Sequence, residues 1–194
     1  MKLALVVGHT IEAPGAKAVV PLNQHEYYFN KAVAEKAALY AKTQGVECRI
    51  FLRDAGGLKG AYLQLNRWKP HASVELHFNA ANQKATGTCT LYGKSNPRNP
   101  ALASALQKAI VTLFQRDKKG DRGTKLLTAV DRGYANVHYA ECPSVLIEPF
   151  FGDVKSDAIL GLEKQDELAV IIIQCLINFC SNGVTKNGGS EGQS

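Results

Sequence analysis

Near its start the chain carries a continuous apolar run, Leu3-Ala-Leu-Val-Val7, which is followed directly by Gly8 and His9. An unbroken run of leucine and β-branched residues that stops at a glycine is typical of a strand buried on both faces of a sheet. His9 therefore comes at the carboxyl end of a predicted central strand.

Outward from this run, the same kind of pattern predicts alternating strands and helices. Strands are predicted at residues 46–52, 72–76, 87–92 and 144–147, and helices at residues 23–42, 58–68, 99–120 and 166–179. Asn23, with Glu26 three residues later, is typical of a capping box that begins the first helix.

This alternation predicts a single α/β domain over residues 1–181, with a mostly parallel, twisted central sheet and helices on both faces. Such an architecture is of the phosphorylase/hydrolase-like kind. Residues 182–194 are rich in Gly, Ser and Asn, and we expect them to form a flexible tail.

The composition is that of an ordinary globular protein with a net charge of +6. The five cysteines are odd in number and include no C-x-x-C pair, which argues against a disulfide framework and against a thiolate zinc knuckle. A basic surface attracts polyanions. The Lys and Arg residues are scattered, however, apart from a group at residues 116–122, so we expect no nucleic-acid partner.

Two apolar segments bear on export and on membrane insertion. The run at residues 3–7 is too short for a signal peptide and is followed by no cleavage-type site. Residues 168–179 fall well short of the roughly 20 residues needed to span a bilayer. We therefore expect a protein made in the cytoplasm without a signal peptide and with no stable membrane insertion. We also expect it to be a monomer.

Three predicted strands lead into a polar residue with metal or acid–base chemistry, namely His9, His77 and Glu148. In open α/β sheets the ligand site lies outside the carboxyl ends of the strands, so these side chains converge if their strands are neighbours. Two histidines and a carboxylate are a standard ligand set for catalytic zinc. A further carboxylate must then move the proton of the attacking water. Glu26 and Glu148 are the candidates for the two carboxylate roles.

Each candidate also has a purely structural interpretation. Either histidine, taken alone, could be a hydrogen-bonded structural residue, and Glu26 could serve only as the capping-box partner at the helix start. Glu148 follows an apolar strand, where an unpartnered carboxylate is costly to bury. We assign His25 and His138 to surface or loop positions without a chemical role.

The chain resembles the family 3 N-acetylmuramoyl-L-alanine amidases, which are zinc-dependent cell-wall amidases of bacterial autolysins and phage endolysins. The resemblance runs over about residues 3–180. The motifs that carry it are Val7-Gly-His9, Glu26, the block Ala72-Ser-Val-Glu-Leu-His-Phe-Asn-Ala80, the strand Gly87-Thr-Cys-Thr-Leu-Tyr92, and the closing block Val130-Asp-Arg132 with Pro143-Ser-Val-Leu-Ile-Glu-Pro149.

The resemblance implies His9, Glu26 and His77 as zinc ligands and Glu148 as the general base and acid. Zn²⁺ is then the cofactor. The substrate implied is bacterial peptidoglycan, and the bond is the amide between N-acetylmuramic acid and L-alanine.

Two residues beside these motifs are candidates for substrate binding. Arg132 could pair with a stem-peptide carboxylate, or form a structural ion pair with Asp131 or another acid. Asn79 could contact substrate, although it could instead hold a loop or a ligand histidine. We also expect residues 10–21 and 120–140 to form loops that face the substrate.

Some positions depart from the family pattern. Thr10-Ile-Glu12 stands where glycines are usual, Glu75 where serine is frequent, Ala61 near the place of an arginine, and Pro149 in place of a small residue. These positions surround the motifs, so the departures bear on substrate detail more than on metal binding.

The sequence thus predicts a lytic enzyme of the phage endolysin kind that acts on the bacterial cell wall. Two alternatives stay open at this point. One is a zinc peptidase that acts on peptidoglycan stem peptides, and the other is a wall-binding module of the same fold without catalysis.

Overall fold

A computed structural model describes residues 1–184, and this part of the chain forms six strands and six helices. In chain order the elements are β1 (Lys2–Val7), α1 (Glu26–Thr43), β2 (Glu47–Phe51), α2 (Gly57–Trp68), β3 (Ala72–Leu76), β4 (Thr88–Tyr92), α3 (Asn99–Leu113), β5 (Asp121–Leu126), α4 (Tyr134–His138), β6 (Ser144–Glu148), α5 (Lys155–Glu163) and α6 (Gln165–Val184).

The strands form one sheet in the order β2-β1-β3-β6-β4-β5. β1, β2, β3 and β6 run parallel, whereas β4 is antiparallel to β6 and parallel to the edge strand β5. The carboxyl ends of β1, β3 and β6 therefore lie side by side at one edge of the sheet. The predicted α/β domain with a mostly parallel sheet is confirmed, as a mixed sheet with one antiparallel junction.

The two faces of the sheet are covered by different helices. Along β1, Leu3, Leu5 and Val7 pack in the large core cluster with residues of α1, α3 and α6. Ala4 and Val6 pack on the opposite face with residues of α2. This alternation follows from the two-residue period of a strand, and burial on both faces explains why the run contains no polar residue.

The structure corrects several local predictions. The capping box at Asn23 is wrong, because Asn23 has a φ of +47° and α1 begins at Glu26 with His25 as its N-cap residue and no side-chain cap hydrogen bond. Residues 120–140 are not only loop, since they contain β5 and α4. The helix predicted to end near residue 120 ends at Leu113.

Two further expectations concern the flexible tail predicted at residues 182–194 and the absence of membrane insertion. The last helix extends to Val184, so it includes the first residues of the predicted tail, and residues 185–194 of that prediction lie outside the described residues. Within residues 1–184, no helix combines the length and the apolar character that a membrane crossing requires.

Candidate active site

Three side chains meet at the edge of the sheet where β1 and β3 end. His9 follows β1, His77 follows β3, and Glu26 comes from the first turn of α1. The Glu26 carboxylate joins the two rings, with Oε2 lying 3.0 Å from His9 Nε2 and Oε1 lying 2.7 Å from His77 Nδ1. One ligand atom from each residue lies within 4.8 Å of the others, so the three could hold one metal ion.

Two glycines make room for the histidine rings. A Cβ atom on Gly8 would lie 2.3 Å from His77 Cε1 and 2.7 Å from the backbone oxygen of Leu76. A Cβ atom on Gly15 would lie 2.8 Å from His9 Nε2, and Gly15 also has a φ of +78°. A side chain at either position would overlap a histidine ring and displace it, so the cluster depends on glycine there.

Glu26 is buried, yet its charged form is favoured. Burial by itself raises the pKa of Glu26, but hydrogen bonds from His77 and His9 together with their positive charge outweigh it and lower the pKa to about 2. The backbone N–H of Phe78 also donates to Glu26 Oε1 at 3.1 Å. For His77 the effects on the pKa have the opposite signs. Burial lowers the pKa, while Glu26 and Glu75 raise it to about 10.

Glu148 ends β6 beside this cluster and is half-buried. Asn79 Nδ2 donates to Glu148 Oε2 at 2.6 Å. Burial, reinforced by the negative charge of Glu26, raises the pKa of Glu148 above its ordinary value, and the positive charge of His77 opposes this. Glu148 thus has a partner, as its apolar surroundings require, and Asn79 holds this glutamate instead of a histidine.

The cluster and Glu148 line one cavity of about 630 Å³. Its lining residues are His9, Gly15, Ala16, Glu26, Arg53, His77, Phe78, Asn79, Ala80, Leu91, Arg132, Gly133, Asn136, Leu146 and Glu148. Parts of both segments expected to face substrate therefore reach the cavity wall, from residues 10–21 and from residues 120–140.

Arg132 lies in the cavity wall, and its predicted partner Asp131 is engaged elsewhere. Asp131 Oδ2 accepts hydrogen bonds from the backbone N–H and the hydroxyl of Thr128, and Asp131 Oδ1 lies 3.5 Å from Lys125 Nζ. Among the described residues, Arg132 makes no ion pair. The structural ion pair weighed for Arg132 and Asp131 is therefore not formed.

The two histidines that were predicted to have no chemical role, His25 and His138, lie outside the cluster. His25 Nδ1 contacts the backbone oxygen of Gly15 at 3.1 Å, which fixes the loop before α1. The ring of His138 stacks on Tyr134, whose hydroxyl lies 2.9 Å from His138 Nδ1. Both histidines therefore have structural contacts.

A second buried charged group, for which the sequence predicts no role, lies behind His77. Glu75 is fully buried in β3, and it contacts His77 Nε2, Arg53, Tyr62 and Asn136. The sequence offered one signal, because a glutamate stands inside the apolar strand residues 72–76. Glu75 is also one of the departures from the family pattern.

The fold and the site together define an α/β enzyme with a His/Glu/His cluster able to hold a metal ion beside a half-buried glutamate. Comparison with known families gives a match over residues 3–177 to the family described as N-acetylmuramoyl-L-alanine amidase. The chain belongs to the N-acetylmuramoyl-L-alanine amidase family, and it is an enzyme that acts on peptidoglycan of the cell wall.

Solved structures show the same fold. The catalytic domain of the amidase CwlV from Bacillus (Paenibacillus) polymyxa var. colistinus matches with a TM-score of 0.79 and 20% identity, over 93% of this chain and 99% of that one. An amidase from Clostridium difficile 630 matches with a TM-score of 0.78 and 22% identity, over 93% and 96%. The catalytic domain of an endolysin targeting Clostridia difficile matches with a TM-score of 0.75 and 24% identity, over 92% and 97%. A sequence comparison with curated proteins gave no match.

Proposed function

We propose that this amidase hydrolyses the bond between N-acetylmuramic acid and L-alanine with a zinc ion held by His9, Glu26 and His77, and with Glu148 as its general base and acid. The observation that carries the proposal is the meeting of these four side chains in one cavity, although they come from four separate parts of the chain.

The donor set suits zinc. Two imidazoles and one carboxylate are a ligand set of catalytic zinc sites, which leave one coordination position open. The glycines at positions 8 and 15 fit the two rings closely, and the Phe78 N–H fixes one carboxylate oxygen of Glu26. Zinc bound here would lower the pKa of a water molecule to near neutrality and polarise the scissile carbonyl.

Glu148 is suited to move the proton. Asn79 holds its Oε2, and among the described residues no hydrogen bond is made to Oε1, which leaves that oxygen available to a water molecule. A pKa raised by burial brings the base closer to the pH at which it works. Glu148 then takes a proton from the attacking water and delivers it to the leaving nitrogen of L-alanine.

Arg132 and Asn79, which line the same cavity, are proposed to bind the substrate. A guanidinium group without an ion-pair partner in the described part of the chain can pair with a carboxylate of the stem peptide. If so, Arg132→Ala raises KM for peptidoglycan fragments that carry this carboxylate and leaves KM unchanged for fragments that lack it.

The test of the catalytic proposal is digestion of purified peptidoglycan by zinc-loaded protein, scored for new L-alanine amino termini and for new reducing sugar ends. We expect L-alanine termini only, and we expect them to vanish in Glu148→Gln and in a chelated sample. Glu35→Gln, which changes an exposed carboxylate on α1, is the matched control and stays active. New termini inside the stem peptide identify a peptidase instead, and tight zinc binding without any release identifies a wall-binding module.

We further propose that the enzyme is a lysis protein of the endolysin kind, made in the cytoplasm and active as a monomer once the membrane is breached. The net charge of +6 supports it, since the bacterial envelope is anionic. Expression in a susceptible bacterium tests the proposal. Lysis only after the membrane is permeabilised supports it, and lysis upon expression alone contradicts it. Light scattering of the purified protein, which measures its mass in solution, tests the proposed monomeric state.

A further inference from the structure

Glu75 lies on the same face of β3 as His77, because side chains two residues apart along a strand point the same way. It is fully buried and does not line the cavity, although its partner His77 does. Its Oε1 lies 3.0 Å from His77 Nε2. Since a carboxylate can only accept this hydrogen bond, His77 Nε2 must carry the proton and donate it.

Three further donors hold the same carboxylate. Arg53 Nη1 donates to Oε1 at 3.1 Å, Asn136 Nδ2 donates to Oε1 at 2.7 Å, and the hydroxyl of Tyr62 donates to Oε2 at 2.7 Å. These residues come from the loop after β2, from α4 and from α2, respectively. A buried carboxylate is costly unless it is paired and hydrogen-bonded, and these donors satisfy that requirement.

Each nitrogen of the His77 ring faces a carboxylate. Nε2 donates to Glu75, and Nδ1 lies 2.7 Å from Glu26 on the side where His9 also lies. A metal ion bound on that side would take the place of the Nδ1 proton, because a histidine ligand binds metal through a deprotonated nitrogen. Which ring nitrogen binds a metal is set by the hydrogen bond that the other makes. A carboxylate behind a ligand histidine fixes the orientation of the ring and raises its basicity.

We propose that Glu75 is a positioning residue for the metal site. By accepting a hydrogen bond from His77 Nε2, Glu75 keeps a proton on that nitrogen and so leaves Nδ1 to face the zinc ion. The inference rests on the proposed zinc site and deepens it. Arg53, Tyr62 and Asn136 act through Glu75, because they fix the carboxylate that fixes the ring.

Two substitutions at Glu75 separate this role from simple packing. In Glu75→Gln the amide oxygen can replace Oε1 and keep the bond from His77, while the amide nitrogen faces the Tyr62 hydroxyl, which can turn to the backbone oxygen of Asn136 at 2.6 Å. Glu75→Leu removes the acceptor altogether. The matched control is Asp157→Asn, which breaks another buried pair, with Arg116, away from the site.

The first readout is zinc affinity, measured by competition with a chromophoric chelator in the absence of peptidoglycan. Loss of an outer partner of a ligand histidine lowers metal affinity by about 10–100-fold, so we expect Glu75→Leu near the upper value and Glu75→Gln near or below the lower one. Asp157→Asn should lose stability in urea but keep its zinc affinity. Equal zinc affinity in the wild type and Glu75→Leu overturns the proposal.

The second readout is ¹⁵N NMR of the His77 ring in the zinc-loaded wild type, which decides the matter even if Glu75→Leu fails to fold. A slowly exchanging proton on Nε2 supports the proposal, and a proton on Nδ1 overturns it. These outcomes are independent of the proposed reaction. Zinc binding that depends on Glu75 without release of L-alanine termini refutes the reaction alone, whereas release by Glu75→Leu with unchanged zinc affinity refutes the positioning role alone.

Discussion

Gly8→Ala, which adds a single methyl group, should disable the metal site. The new Cβ atom would lie 2.3 Å from His77 Cε1 and 2.4 Å from His77 Nε2, and ordinary van der Waals contact begins near 3.4 Å. The ring would have to retreat by about 1 Å to relieve the overlap. The backbone oxygen of Leu76 would lie 2.7 Å away on the same side, so the Cβ atom cannot escape by a small shift of β1.

The magnitude follows from what holds the ring. His77 is bound on one side by Glu26 and on the other by Glu75, so a displacement of this size breaks at least one of the two hydrogen bonds. A misplacement of about 1 Å at a reacting centre costs about 100-fold in rate. Overpacking itself costs about 1–3 kcal/mol in the free energy of unfolding. We therefore expect a folded protein with strongly reduced zinc affinity and activity.

The assay compares zinc affinity, urea unfolding and release of L-alanine termini in Gly8→Ala and in a matched control. The control is Gly161→Ala, where the added Cβ atom would lie 2.5 Å from Cζ of Phe150 in the core. It introduces a similar overlap with an aromatic ring outside the metal cluster, so it should lose stability and keep its zinc affinity. If Gly8→Ala binds zinc as the wild type does, the close packing of Gly8 on His77 does not position the ligand.

Further predictions address the base, its partner and the core. Glu148→Gln should lower kcat by at least about 100-fold, the low end for a general base, with zinc affinity unchanged in a chelator competition. Asn79→Ala removes a hydrogen bond that lowers the pKa of Glu148. Because the base acts when deprotonated, the acid limb of the kcat/KM profile should move to higher pH, and an unmoved limb contradicts this. Asp157→Asn, which leaves Arg116 unpaired, should cost about 3–5 kcal/mol in urea unfolding and spare zinc binding.

The parts of the fold that the sequence predicted correctly are those with a local signal. Three mainly apolar segments each form a buried strand and are followed by a glycine or a polar residue, namely residues 3–7, 72–76 and 144–147. Helices with apolar residues at spacings of three and four were found for the same reason. Such patterns can be recognised in the sequence because a buried segment, or a buried face of a helix, is made of apolar residues.

The elements that the sequence did not predict, or predicted wrongly, show no such apolar pattern. β5 is an exposed edge strand of sequence Asp-Arg-Gly-Thr-Lys-Leu, which has neither an apolar run nor a regular alternation. α4 has five residues, too few to show a helical period. Asn23 and Glu26 have the spacing of a capping box, but Glu26 finds stronger partners in two histidines and in the Phe78 N–H. Tertiary contacts overrode the local pattern there.

The sequence by itself determined the kinds of residue at the site. His9, His77 and Glu148 each come at the end of a predicted strand, and together with Glu26 they match the family motifs in order. Only the tertiary structure decided that β1, β3 and β6 are neighbours and parallel, which brings these residues to one edge. It alone assigned Asn79 to Glu148 and Glu75 to His77. The reason is physical, since strand order and side-chain partners depend on contacts between distant segments, and such contacts leave no periodic trace in the chain.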